Sequence, residues 1–137
     1  MRKIIIAGNW KLNKINSEAV AFAKKAAGRK LKVIIVFAGG AAHLGGVVAS
    51  HTTLPVIGVP IPTRVFKGID SYLSTLQMPS GVPVATVSIG KAGASNAAIL
   101  AVQILGAFDP KLKQKIARYK KNLARKVLAD NAALCKK

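Results

Sequence analysis

Two glycine-rich stretches of this chain carry side chains that can do chemistry. In the first, Gly90-Lys91-Ala92-Gly93 follows an apolar run and precedes Ser95 and Asn96. A lysine between glycines at a strand's end can meet a phosphate or nucleotide ligand, helped by backbone N–H groups and the start of a helix. The spacing fits neither a Walker pattern nor a dinucleotide fingerprint, so a tight turn is the plainer alternative. In the second, residues 38–46 (AGGAAHLGG), His43 follows Gly39, Gly40, Ala41 and Ala42. An imidazole there can take or give a proton near neutral pH, and the glycines let a ligand come close to the backbone. The plainer alternative for His43 is a loop histidine with no catalytic duty. His51 has no partner in sequence and reads as a surface or packing residue. Asp70 and Ser71, near the start of residues 68–77 (GIDSYLSTLQ), read as helix caps. Two separated histidines and the single Cys135 make no zinc site, redox pair or nucleophilic triad, so no metal is expected.

These residues need a scaffold, and the pattern around them supplies one. Residues 82–89 (VPVATVSI) are short, apolar and bracketed by Pro79-Ser80-Gly81 and Gly90-Lys91-Ala92-Gly93, which predicts a buried strand ending in a glycine loop. A helix capped by Ser95 or Asn96 should follow. Its segment 97–108 (AAILAVQILGAF) is apolar almost all round and is expected to be buried. Strand, glycine loop and helix form half of a parallel α/β unit, whose ligands bind outside the carboxyl ends of the strands. The loop 90–95 is thus the first candidate site.

The remaining segments repeat the alternation. Residues 2–7 (RKIIIA) read as a strand closed by Gly8, then a helix from Asn16 or Ser17 through Ala27, with Glu18 in its first turn and Gly28 as its stop. Residues 31–37 (LKVIIVF) and 55–59 (PVIGV) read as buried strands, with a helical turn or two begun near Ala42 between them. Pro60-Ile61-Pro62-Thr63 reads as loop, and residues 68–77 as a short helix. Asp109-Pro110 starts a long last helix on which Leu112, Ile116, Tyr119, Leu123 and Val127 make one apolar stripe. No linker or repeat divides the chain. The expectation is a single three-layer α/β domain over residues 1–137 with a parallel sheet of about four strands.

Composition bounds the partners. The 137 residues carry a formal net charge of +18, with Glu18, Asp70, Asp109 and Asp130 as the acids. Such a field attracts polyanions without a specific site, and salt-dependent sticking to nucleic acid follows whether or not it is the function. The last helix concentrates the charge in Lys111, Lys113, Lys115, Arg118, Lys120, Lys121, Arg125 and Lys126. No aromatic residues are interleaved for base stacking, which makes dedicated nucleic-acid recognition the weaker option. No apolar run is long enough to cross a bilayer, and the one after Met1-Arg2-Lys3 is too short for a signal-peptide core. A soluble protein without a targeting segment or membrane partner is expected, in a reducing, cytoplasmic compartment.

Four ordered blocks carry a resemblance. They are Gly39-Gly40-Ala41-Ala42-His43-Leu44, Leu54-Pro55-Val56-Ile57-Gly58-Val59-Pro60, Gly68-Ile69-Asp70-Ser71, and Gln77-Met78-Pro79 through Gly90-Lys91-Ala92-Gly93-Ala94. With this spacing, residues 31–130 resemble the catalytic subunit of phosphoribosylaminoimidazole carboxylase, the carboxyaminoimidazole ribonucleotide mutase of purine biosynthesis. The resemblance implies a flavodoxin-like fold, a homo-oligomer (an octamer in the family), and no metal or organic cofactor. It implies transfer of a carboxylate from the exocyclic amine to a ring carbon of an aminoimidazole ribonucleotide, an isomerase or lyase type of chemistry. By resemblance Gly39, Gly40, Ala41, Ala42 and His43 line the pocket with Gly90, Lys91, Ala92 and Gly93, while Gln77 and Met78 shape its wall. The family's earlier motifs, a strand ending in Gly-Ser-x-Ser-Asp and another ending in Ser-Ala-His-Arg, have no counterpart here; they hold ribose and phosphate and supply the proton-carrying histidine. In their place residues 1–14 (MRKIIIAGNWKLNK) resemble the first strand of triosephosphate isomerase, with a weaker likeness to about Ala27. In that family the matching asparagine and lysine, Asn9 and Lys11 here, contact substrate. The combined expectation is a recombined or engineered chimera, residues 1–28 grafted onto a mutase-like portion 29–137, with the parent activity lost.

Overall fold

The computed structural model describes residues 6–8, 18, 20, 21, 24, 25, 28 and 31–135. They fall into two compact units that divide after Ala101. The first contains a parallel sheet of four strands in the order β1-β2-β3-β4: β1 (Ile6–Gly8), β2 (Ile34–Gly39), β3 (Val56–Ile61) and β4 (Ala85–Thr86). The helices between them are α1 (Leu44–Ala49) and α2 (Ile69–Leu76), and α3 (Gly90–Gly106) follows β4. Glu18, Val20, Ala21, Lys24, Lys25 and Gly28 have helical backbone. Gly28, expected to stop that helix, is therefore part of it, and it lacks the left-handed φ of a glycine C-cap.

The register explains the core. Ile34 pairs with Val56, Ile35 with Ile57 and Val36 with Gly58. Because side chains alternate between faces, the consecutive buried residues Ile34, Ile35 and Val36 show that β2 is covered on both faces. Leu31, Ile34, Val36, Val48 and Val56 form one apolar cluster, flanked by Leu44, Ala49, Leu54 and Val84. At Gly58 the helix α2 lies directly on the sheet: an added Cβ would overlap Thr75 and stand 2.9 Å from Val84 Cγ1.

Three elements differ from the sequence reading. Strand β3 continues through Pro60 and Ile61, which pair with Ala38 and Gly39, where a loop was expected. Proline is tolerated because β4 ends opposite Gly58, so beyond that point β3 has a strand neighbour on one side only. The apolar run 82–89 gives only the two-residue strand Ala85–Thr86, and none of its residues is buried. It is the last strand of the sheet, paired on one side, and Pro83 contributes no N–H. Helix α3 begins at Gly90 rather than after Ser95 and Asn96, and it buries one stripe, Gly93, Ala97, Ala101 and Leu105, with Gly106 at its end, instead of its whole circumference. Apolar content alone could not tell one buried stripe from four buried sides.

In the second unit, Asp109 caps α4 (Pro110–Leu134) as expected. Its Oδ1 accepts from the N–H groups of Lys111 at 3.0 Å and Leu112 at 3.3 Å, and Pro110 occupies the first turn. The apolar stripe of α4 is real but largely uncovered: Leu112 and Ile116 are half-buried, and Leu123 and Val127 are 48% and 67% exposed. No residue of α4 is buried. Among the described residues, no helix is long and apolar enough to cross a membrane.

Candidate functional site

The loops at the carboxyl ends of β2, β3 and β4 pack on one another. A Cβ on Gly39, at the end of β2, would lie 3.5 Å from the Ile61 Cβ at the end of β3. One on Gly68 would lie 2.7 Å from Ile89 Cγ2, and one on Gly90 would lie 3.2 Å from Pro62 Cγ. Contacts thus run from Gly39 through Ile61, Pro62 and Gly68 to Gly90. Gly40, Gly68 and Gly90 have φ of 72°, 100° and 70°, conformations that side chains rarely adopt. Lys67, beside Gly68, holds φ 53° with a full side chain. This crevice edge is where a parallel α/β sheet places its ligands.

The shape of residues 39–43 is set by two hydroxyls of α2. Ser71, with no exposed surface, accepts from the Gly40 N–H at 2.9 Å and donates to the Ile61 carbonyl at 2.7 Å. Ser74 Oγ accepts from the Ala42 N–H at 3.0 Å. Its own proton faces the carbonyls of Asp70 at 2.7 Å and Gly40 at 3.0 Å. Ser71 is therefore not a helix cap. Position N-cap belongs to Gly68, which offers no side chain. Asp70 stands in the first turn and accepts a hydrogen bond from Thr63 Oγ1 at 2.8 Å, while that same oxygen accepts from the Gly68 N–H at 3.3 Å. The signal that sequence reading missed is the i, i+3 spacing of Ser71 and Ser74, which places both on the helix face turned to the strand ends.

The candidate residues distribute as follows. His43 is exposed at the N-cap position of α1, where its side chain makes no capping bond; its N–H donates to the Ala41 carbonyl at 2.8 Å and its carbonyl accepts from Val47 at 3.0 Å. Ala42 is buried and anchors the loop. Gln77 is exposed, and half-buried Met78 lies over α1, its Sδ 3.0 Å from where a Cβ on Gly46 would be. Lys91 and Ala92 are exposed in the first turn of α3. Gly93 is buried so tightly against the Ser88 carbonyl that no Cβ fits. Neither Ser95 nor Asn96 caps α3: Ser95 donates back to the Lys91 carbonyl at 3.3 Å, and Asn96 donates to Ser88 Oγ at 3.1 Å. His51 is exposed, with Nδ1 2.9 Å from both Ser50 Oγ and the Val47 carbonyl, in keeping with a surface role. Asn9 and Lys11 lie outside the described residues. Among the described residues no three His, Cys, Asp or Glu side chains gather as a metal site would require.

The elements that form this edge are also the ones shared with known proteins. The sequence pattern of the AIR carboxylase family matches residues 11–126. The chain belongs to that family. It is 55% identical over 113 residues to the N5-carboxyaminoimidazole ribonucleotide mutase of Bacillus subtilis, covering 82% of this chain and 70% of the relative. It is 57% identical over 109 residues to the enzyme of the same name from Pyrococcus horikoshii, covering 80% and 60%. Among solved structures, Treponema denticola PurE superposes with a TM-score of 0.78 at 30% identity, over 89% of this chain and 75% of that one. The architecture is accordingly the flavodoxin-like α/β fold of the family. The family match begins at Lys11, so the comparisons lend no support to a separate, isomerase-like origin for residues 11–28.

Proposed function

We propose that this chain keeps the aminoimidazole side of a carboxyaminoimidazole ribonucleotide mutase site and has lost its turnover. The observation that carries the reading is the packed edge formed by Gly39, Ile61, Pro62, Gly68 and Gly90, built from the segments shared with relatives named for that activity. In the reaction, a bond between the exocyclic nitrogen and carboxylate carbon breaks, a bond from a ring carbon to that carboxylate forms, the ring carbon gives up its proton, and the exocyclic nitrogen takes one up to become the free amine. Residues 39–43 would present backbone and the His43 imidazole to the ring, with Met78 and the start of α3 as walls. The chain has no Gly-Ser-x-Ser-Asp or Ser-Ala-His-Arg segment, so the ribose-phosphate grip and the family's proton carrier have no counterpart. Residues 1–10, where the isomerase-like strand lies, fall outside the family match. On this reading the protein is a cytoplasmic homo-oligomer, and the exposed stripe of α4 is covered by another copy.

The test is to incubate the protein with N5-carboxyaminoimidazole ribonucleotide and follow interconversion by absorbance, with His43→Ala alongside. No turnover from a cooperatively folded sample is expected. Turnover that His43→Ala abolishes would overturn the loss of activity and establish a residual mutase centred on His43.

A second reading is favoured by one observation. Between Asp109 and Asp130 the helix α4 carries no acid, and Lys111, Lys113, Lys115, Arg118, Lys120, Lys121, Arg125 and Lys126 are all exposed. Such a rod binds the phosphates of a nucleic acid or another polyanion through charge, without reading sequence.

A further inference from the structure

We infer that Ser71 and Ser74 are positioning residues: through the amides of Gly40 and Ala42 they set the backbone of residues 39–43, and with it the place of His43 at the crevice. The functional half of this inference rests on the nucleotide reading above; the structural half does not.

Three observations carry it. The Ser71 hydroxyl uses its donor and an acceptor position on two different strand ends, the Ile61 carbonyl and the Gly40 N–H, and it is wholly buried. A buried hydroxyl with both roles filled has one orientation, so the ends of β2 and β3 are held in fixed register. Ser74, one turn further along α2, takes the Ala42 N–H and faces the Gly40 carbonyl. Between them the two serines fix the left-handed Gly40, whose φ of 72° turns the chain away from β2, and the amide immediately before His43. The His43 N–H is bonded to the Ala41 carbonyl, so the turn that these hydroxyls shape also sets the start of α1. Neighbouring Thr75 is a built-in comparison: its hydroxyl is also buried and bonded, but to the Ser71 carbonyl within the helix and to no atom of residues 39–43.

The experiment compares Ser71→Ala, Ser74→Ala, Ser74→Thr and Thr75→Val with the unaltered full chain. Backbone amide exchange by NMR reads the loop directly. Exchange at Gly40 in Ser71→Ala and at Ala42 in Ser74→Ala should speed up at least tenfold relative to the Ile34 amide of β2. The His43 ring resonances should move in both variants, stay in place in Thr75→Val, and be restored in Ser74→Thr. Calorimetry with carboxyaminoimidazole ribonucleotide reads the site: affinity should fall at least tenfold in the two alanine variants and recover in Ser74→Thr. Unchanged exchange at Gly40 and Ala42, or His43 resonances that move equally in Thr75→Val, would overturn the positioning role. If the unaltered protein shows no affinity for the nucleotide while the exchange and His43 signals respond as stated, the nucleotide reading fails and the positioning of the loop stands.

Discussion

A single kind of substitution, glycine to alanine within a helix, should act with opposite signs at two positions of this chain. Gly28 is exposed, has helical backbone, and has nothing within 4 Å of the place a Cβ would take. Gly28→Ala should therefore stabilise by roughly 0.5–1 kcal/mol, the ordinary propensity gain. Gly93 is also helical, and the same gain is available there. Its new Cβ, however, would overlap the Ser88 carbonyl oxygen and lie 3.2 Å from Val59 Cγ1. The obstacle is backbone, not the tip of a flexible side chain, so the connection between β4 and α3 must move or the helix must lift off the sheet. Overpacking of this kind costs about 1–3 kcal/mol and sometimes more, and a backbone obstacle belongs at the upper end. After subtraction of the propensity gain, Gly93→Ala should lose about 2 kcal/mol or more. Urea unfolding followed by circular dichroism measures both. With a slope of about 2 kcal/mol per molar, the Gly93→Ala midpoint should fall by about 1 M or more, and that of Gly28→Ala should rise by a few tenths. A Gly93→Ala midpoint equal to or above that of the unaltered protein would refute the assignment of a close backbone approach between α3 and Ser88.

Other consequences are simpler to state. Asp109→Ala removes an acceptor from two first-turn amides and should lower stability by about 1 kcal/mol, with reduced helix signal on mild heating. Gly58→Ala pushes a methyl into Thr75 and Val84 and should destabilise by about 1–3 kcal/mol, while Gly58→Ala combined with Thr75→Ser should recover part of that loss. Binding to a DNA duplex of arbitrary sequence should weaken steeply with salt, log affinity falling by about 0.9 per phosphate contact for each tenfold rise, and charge-reversing Lys120 and Lys121 should flatten the slope. A sequence preference that survives high salt would contradict a purely electrostatic rod.

Elements whose physics is local were legible from the residues alone. Alternating apolar segments and glycines specified a parallel α/β sheet, the Asp109-Pro110 pair specified the start of α4, and the ordered glycine blocks carried the family resemblance. His43 and Gly40 were legible because a loop glycine and a loop imidazole announce themselves by type. The rest depended on contacts between segments distant in the chain. Whether Pro60 lies in a strand depends on how far the neighbouring β4 extends, a fact written elsewhere in the chain. Whether residues 97–108 are buried on one side or all round depends on what packs against them. Ser71 looks like a cap in sequence and Ser74 like an ordinary helix residue; Ser71 joins the strand ends only when β2 and β3 bring Gly40 and Ile61 within 3 Å of it. Hydrogen bonds between residues 31 and 32 positions apart leave no periodic trace, because nothing local has to repeat for them to form.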